Sequence, residues 1–307
     1  MNFEIVTEGL EFPEGPVAMD DGSVVLVEIR RGALTRVRPD GSKEIVAELG
    51  GGPNGAAIGP DGRVYVCNNG GFVWAERGGI KVPAGTPDDY ASGSIQAVDL
   101  ATGAVETLYT ECDGIPLRGP NDIVFDAQGG MWFTDLGKTM AETMHHGAVY
   151  YAKADGSAIS RQRFPLITAN GCGLSPDGKV LHVAETRTSR VWSFDITSPG
   201  VLAPPEGFRP GRLLATLPDY QLLDSLAIQA DGAVCVATLM RGGISIVDAD
   251  TGEVEFIPVP FEPHDPYITN ICFGGADMRD AWITCSASGR LVKTRWAKPG
   301  LRLNFNA

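Results

Sequence analysis

At 307 residues, with 43% hydrophobic and 21% charged side chains, the chain has enough apolar material for a large core and too little charge for disorder. The formal net charge of −13 would repel a phosphate backbone, which argues against a nucleic-acid partner. No apolar window reaches the roughly 18 residues needed to span a bilayer, and Met1-Asn2-Phe3-Glu4 lacks a basic-then-apolar start, so no membrane partner and a cytoplasmic location are expected.

In chain order, a short apolar run, Phe3-Glu4-Ile5-Val6, precedes a phrase that then recurs six times. The phrase opens on an oxygen-bearing residue, passes a short apolar stretch and a polar turn, and ends in a second apolar run. Its openings are Glu14-Gly15-Pro16, Asn54-Gly55-Ala56, Asn121-Asp122-Ile123, Asn170-Gly171-Cys172, Asp224-Ser225-Leu226 and Asn270-Ile271-Cys272. Seven residues after each opener stand Asp21, Asp61, Gln128, Asp177, Asp231 and Asp277, and in four cases Gly follows the Asp, a tight-turn signal. Strands are predicted at 23–27, 63–66, 131–134, 180–184 and 233–237, with partners at 33–37, 94–98, 148–151, 190–194 and 243–247. Between 72 and 92 the pattern lapses into clustered Gly, Pro and Asp, read as an insertion overhanging the site.

Openers lie 40 to 67 residues apart, close to the period of four-stranded propeller blades. With 39 Gly, 21 Pro and no long helical pattern, the prediction is an all-β, six-bladed β-propeller forming a single domain over 1–307. Residues 3–6 are expected to close the ring beside the strands between Trp282 and Trp296. The six cysteines contain no CxxC pair and several sit in apolar runs, so they read as buried thiols rather than disulfides or zinc ligands.

Equivalent positions of a propeller converge on its axis, so the openers Glu14, Asn54, Asn121, Asn170, Asp224 and Asn270 form one ring of oxygen donors. Taken singly, each Asn or Asp suits a turn. As a set that includes Glu14, they make a cage for a hard divalent cation in the central channel, with Ca²⁺ the first choice and Mg²⁺, Mn²⁺ or Zn²⁺ compatible. His145-His146 reads as a solvated loop pair and Pro263-His264-Asp265 as a loop. No GxSxG elbow, Rossmann or P-loop pattern is present.

Phe12-Pro13-Glu14-Gly15-Pro16, Pro120-Asn121-Asp122 with Met131 to Asp135, Asn170-Gly171 through Pro176-Asp177-Gly178 to Glu185-Thr186, and Thr269-Asn270 to Gly275 together resemble the SMP-30/gluconolactonase/luciferin-regenerating-enzyme family, in the same order from about residue 10 to 296. The resemblance implies a six-bladed propeller with a divalent metal in its channel. It also implies Glu14, Asn170 and Asp224 as ligands, with Asn121 a fourth ligand or a substrate contact. Two departures stand out: Leu223-Asp224-Ser225 replaces the family's Pro-Asp-Gly, and Arg118 precedes Asn121 by three residues where sugar-lactone members often have an Arg two before.

The expected chemistry is metal-assisted hydrolysis of a small-molecule lactone, with Asp224 as the base. Attack by Asp224 itself and activation of water by the metal are its variants. Arg118, Asn121, Asp122, Asn54 and Asn270 are assigned to substrate binding. A phosphotriester hydrolase with the same cage and a binding module with a structural metal are the rival readings. A monomer or small homo-oligomer is expected.

Overall fold

The computed structural model describes residues 1–305. Six antiparallel sheets, five of four strands and one of five, form the blades, two two-stranded hairpins stand beside them, and there is no helix among the described residues. Blade 1 comprises Pro13–Ala18, Val24–Glu28, Ala33–Val37 and Lys43–Glu48; blade 3 comprises Pro120–Phe125, Gly130–Asp135, Gly147–Lys153 and Ile159–Leu166. The innermost strands of blades 2, 4, 5 and 6 are Pro53–Ile58, Ala169–Leu174, Leu222–Ile228 and Ile268–Gly274. These six inner strands neighbour one another in cyclic order, and the first meets the sixth. The molecule is thus a six-bladed β-propeller.

The blades cohere because both faces of each sheet are covered. Six separate apolar clusters fill the six spaces between adjacent blades: Tyr65 and Phe133 lie between blades 2 and 3, for example, and Trp132 and Trp192 between blades 3 and 4. Inner strands therefore read as nearly unbroken runs of small and apolar residues, whereas the outer strand Lys43–Glu48 is largely exposed and charged. The ring closes as the sequence predicts. Phe3–Thr7 pairs with Arg290–Arg295, Phe3 opposite Thr294 and Ile5 opposite Val292, so blade 6 joins both ends of the described chain.

The turn after each inner strand explains the recurrent acid. Asp21, Asp61, Asp177, Asp231 and Asp277 each accept the backbone N–H two residues on, and Gly22, Gly62, Gly178 and Gly232 adopt positive φ after them. Blade 3 departs from the spacing: Gln128 fills the seventh place, and Asp126 caps the turn by accepting from Gln128 N and Gly130 N. In blade 6, Met278 takes the glycine's place at φ 56.

The insertion differs from the irregular loop predicted. It contains a hairpin, Val73–Arg77 with Ile80–Gly85, turned by Gly78 and Gly79 at φ 59 and 82. Two glycines at positive φ suit a two-residue hairpin turn, and the short strands were hidden among the Gly and Pro around them. On the opposite side of the ring the segment after Arg295 crosses the channel. Leu301 N donates to Ile228 O, Asn304 Nδ2 to Phe125 O, and Phe305 packs edge-on against Phe125. Leu301 and Leu303 floor a channel cavity of about 80 Å³ whose walls include Val17, Ile123, Leu174 and Phe273.

Candidate functional site

Every inner strand shifts register at or beside its opener. The breaks fall between Glu14 and Val17, Pro53 and Ala56, Pro120 and Ile123, Ala169 and Cys172, Leu223 and Leu226, and Ile268 and Asn270. A bulge re-aims side chains and releases backbone groups from the ladder. The glycines that follow openers allow the close approach: a Cβ on Gly171 would lie 2.6 Å from Leu226 N, and one on Gly15, at φ 52, 2.5 Å from Asn54 O.

Five of the six openers are almost sealed: Glu14 is 2% exposed, Asn121 2%, Asn170 4%, Asn54 5% and Asn270 5%. Asp224 is the one that keeps partial exposure. Asn270 Nδ2 donates to Glu14 Oε2 at 2.7 Å, Gly15 N donates to the same oxygen, and Ser225 Oγ reaches Asn170 Oδ1 at 3.5 Å. Asn170 Nδ2 donates to Thr186 Oγ1 at 3.1 Å. Burial raises the Glu14 carboxyl well above its ordinary range, and the nearby Asp224 adds to the rise. Burial likewise pushes Asp224 up to about 7, against a hydrogen bond from Asn170 that lowers it.

Three oxygens of this ring, Glu14 Oε1, Asn54 Oδ1 and Asn121 Oδ1, are buried without any hydrogen-bond partner. A buried acceptor without a donor is costly, and several in one ring call for a shared positive partner. The donor set is all oxygen, two carboxylates with carboxamides, which fits a hard divalent cation. Among the described residues no three His, Cys, Asp or Glu side chains are grouped for an ion, so amide oxygens would have to complete the shell.

The remaining residues singled out in the sequence lie outside this ring of unpaired oxygens. Asp122 is 6% exposed and faces the backbone of neighbouring blades, its Oδ2 accepting from Cys172 N at 2.9 Å. Arg118 stands in the loop entering blade 3, where its N–H donates to Asp135 Oδ2 at 2.7 Å and its carbonyl accepts from Tyr90 Oη. The guanidinium lies near His145, whose pKa falls through burial and that charge. His264 and Asp265 form no dyad: Asp265 accepts from Tyr267 N and Ser288 N, pinning its own loop.

The repeat also places a second set of polar residues. Glu28, Asn68, Asp135 and Glu185, 14 or 15 residues after their openers, are all buried and grip the loops that lead into the inner strands. Glu28 accepts from Glu11 N, Asn68 from Gly52 N, Asp135 from Arg118 N and Gly119 N, and Glu185 from Ile167 N. Their nearly equal offset was the available signal. Lys138 gave none. It is buried, donates to Gly71 O at 2.7 Å, and sits 4.5 Å from the Phe72 ring centroid and 4.9 Å from that of Tyr90, tying the insertion to blade 3. Trp74 of the hairpin meets Phe12, two residues before Glu14, at 5.1 Å, and Phe12 meets Tyr267 at 5.8 Å. An aromatic wall thus stands above blades 6, 1 and 2.

Comparison with known proteins follows this geometry. The sequence model of the SMP-30/Gluconolactonase/LRE-like region matches residues 12–287. A protein named lactonase drp35 from Staphylococcus haemolyticus is 30% identical over 249 residues, 79% of this chain and 68% of that protein. Its namesake from Staphylococcus saprophyticus is 29% identical over 264 residues, 84% of this chain and 72% of that one. Among solved structures, a gluconolactonase from Xanthomonas campestris superposes with a TM-score of 0.73 at 23% identity, covering 95% of this chain and 89% of that one. Regucalcin from Agrobacterium tumefaciens, described as a calcium-binding protein, gives 0.71 at 18%, covering 97% of each.

Proposed function

The chain belongs to the SMP-30/gluconolactonase/LRE-like family, and from that premise we propose that it is a divalent-metal-dependent lactonase working at the channel ring. The observation that carries the reading is the trio of unpartnered buried oxygens, Glu14 Oε1, Asn54 Oδ1 and Asn121 Oδ1, at equivalent places in blades 1, 2 and 3 and within the residues that the family matches. Relatives named as lactonases support the substrate class.

Glu14, Asn121, Asn170 and Asp224 would hold the cation, and the oxygen-only donor set favours Ca²⁺. When bound, it supplies Lewis-acid polarisation of an ester carbonyl and charge stabilisation as the ring opens. Asn54 and Asn270 belong to the same ring; Asn270 fixes Glu14 through its 2.7 Å hydrogen bond, leaving Oε1 free. Asp224 suits a base because it alone in the ring keeps solvent access. It would take a proton from the attacking water onto a carboxylate oxygen, while the Asn170 amide steadies the charged form. Arg118 at the rim would orient the substrate. The aromatic wall of Phe12, Trp74 and Tyr267 limits water on one side of the mouth.

The test is proton release from a panel of sugar and aliphatic lactones by metal-stripped protein refilled with Ca²⁺, Mg²⁺, Mn²⁺ or Zn²⁺. Hydrolysis that returns with metal and is absent in Asp224→Ala is expected. Turnover of phosphotriesters alone would replace the lactone, and a cation that raises Tm without any turnover would make the protein a binding module.

A further inference from the structure

The geometry points to Asp122 as a positioning residue that clamps blades 3, 4 and 5 beneath the ring and so sets the spacing of Asn121, Asn170 and Asp224; this rests on the cation-binding reading of that ring. In the place after the opener, blades 1, 2, 4 and 5 carry Gly15, Gly55, Gly171 and Ser225, whereas blade 3 alone carries a charged side chain. Strand pairing resumes after the register breaks at Ile123, Cys172 and Leu226, two residues after the openers, and the amides of Ile123 and Cys172 donate to a side-chain carboxylate. Such amides need an acceptor inside a narrow channel.

Asp122 supplies one for three blades. Oδ1 accepts from Ile123 N at 3.0 Å and Oδ2 from Cys172 N at 2.9 Å, while the Leu226 amide faces the same carboxylate. Its own N–H donates to Thr134 Oγ1 at 3.1 Å, and the Thr134 hydroxyl donates in turn to the Asn170 carbonyl. Each clamped amide stands two residues after a ring member, so loosening the clamp moves Asn121, Asn170 and Asp224 relative to one another. With its oxygens engaged by main chain, Asp122 acts on the ring through the backbone instead of touching substrate, the role the sequence pattern suggested for it.

Calorimetric titration of metal-free wild type and Asp122→Asn with CaCl₂ tests this, with lactone kinetics run at saturating Ca²⁺. Loss of a group that orients ligands typically weakens metal binding about 10- to 100-fold. The expected result is a folded variant with a Ca²⁺ Kd raised by about that factor, activity recovered by added Ca²⁺, and KM within about twofold of wild type. Unchanged Ca²⁺ affinity overturns the clamp, and unchanged affinity with a raised KM returns Asp122 to substrate contact. Should Asp122→Asn fail to fold, Thr134→Val carries the test: a severalfold weaker Kd supports the clamp and an unchanged one overturns it. A wild type that binds no divalent cation removes the reading of the ring itself, an outcome separate from either variant's.

Discussion

Two sets of buried polar side chains lie near the mouth of this propeller, and they differ in how their oxygens are matched. In the set formed by Glu28, Asn68, Asp135 and Glu185, every residue accepts a loop amide. In the opener ring, Glu14, Asn54 and Asn121 each keep a buried oxygen without a donor. The same residue types therefore do opposite things. Matched oxygens hold the loops that enter the inner strands, and unmatched ones form an electronegative hole. Polarity and burial alone do not mark a site; the missing donor does.

Substitutions should break the two sets in different currencies of effect. Asp224→Ala is expected to cut lactone turnover by about 10²- to 10⁴-fold, the usual contribution of a general base, with little loss of Tm because a mutually repelling carboxylate is removed. Steady-state kinetics beside thermal melts checks it, and a lower Tm with activity retained would place Asp224 in the structural set. Asp135→Ala should do the reverse. It strips the acceptor from Arg118 N, Gly119 N and Gly137 N, and at about 1–3 kcal/mol for each unsatisfied buried group the loss is at least about 3 kcal/mol. Urea unfolding would show it as a lower midpoint at unchanged slope.

The difference between the sets was only half legible in the sequence. The six openers, the recurrent turn acid and the closing strand at Phe3–Thr7 follow from spacing, because a repeat must place equivalent residues alike. The nearly equal offset of Glu28, Asn68, Asp135 and Glu185 was visible too, but whether an oxygen finds a donor depends on loops folding back from elsewhere in the chain. Asp122 shows the limit most clearly. It sits beside Asn121 in sequence, yet its partners Cys172 N and Leu226 N come from two other blades. The hairpin of Val73–Arg77 and Ile80–Gly85 was obscured by its own glycines, and the Leu301–Leu303 floor belongs to a non-repeating segment with no period to read.

A cation should sharpen the comparison from the other side, by satisfying the unmatched ring without touching the matched set. Binding that favours the folded state adds about 2.7 kcal/mol at a concentration 100 times Kd. Melts of metal-stripped protein against Ca²⁺ should therefore show a rising Tm in wild type and in a matched-set variant such as Glu185→Gln, but none in Glu14→Gln. An equal rise in Glu14→Gln would locate the ion elsewhere.

The smallest effect concerns a matched group that burial favours in its neutral form. His182, in the second strand of blade 4, is 2% exposed, and its Nδ1 lies 3.0 Å from Ser193 Oγ. Burial, helped by the nearby Arg212 charge, lowers its pKa from 6.5 to about 4. The unfolded chain thus takes up this proton first as pH falls. Stability from the neutral ring is fully present above about 6.5 and is lost progressively toward 4. Unfolding free energies of metal-free wild type and His182→Gln across pH 4 to 7 should differ in slope over that interval, the variant being flatter. Parallel profiles would mean that His182 titrates in the fold as it does in the unfolded chain, so that burial does not hold it neutral.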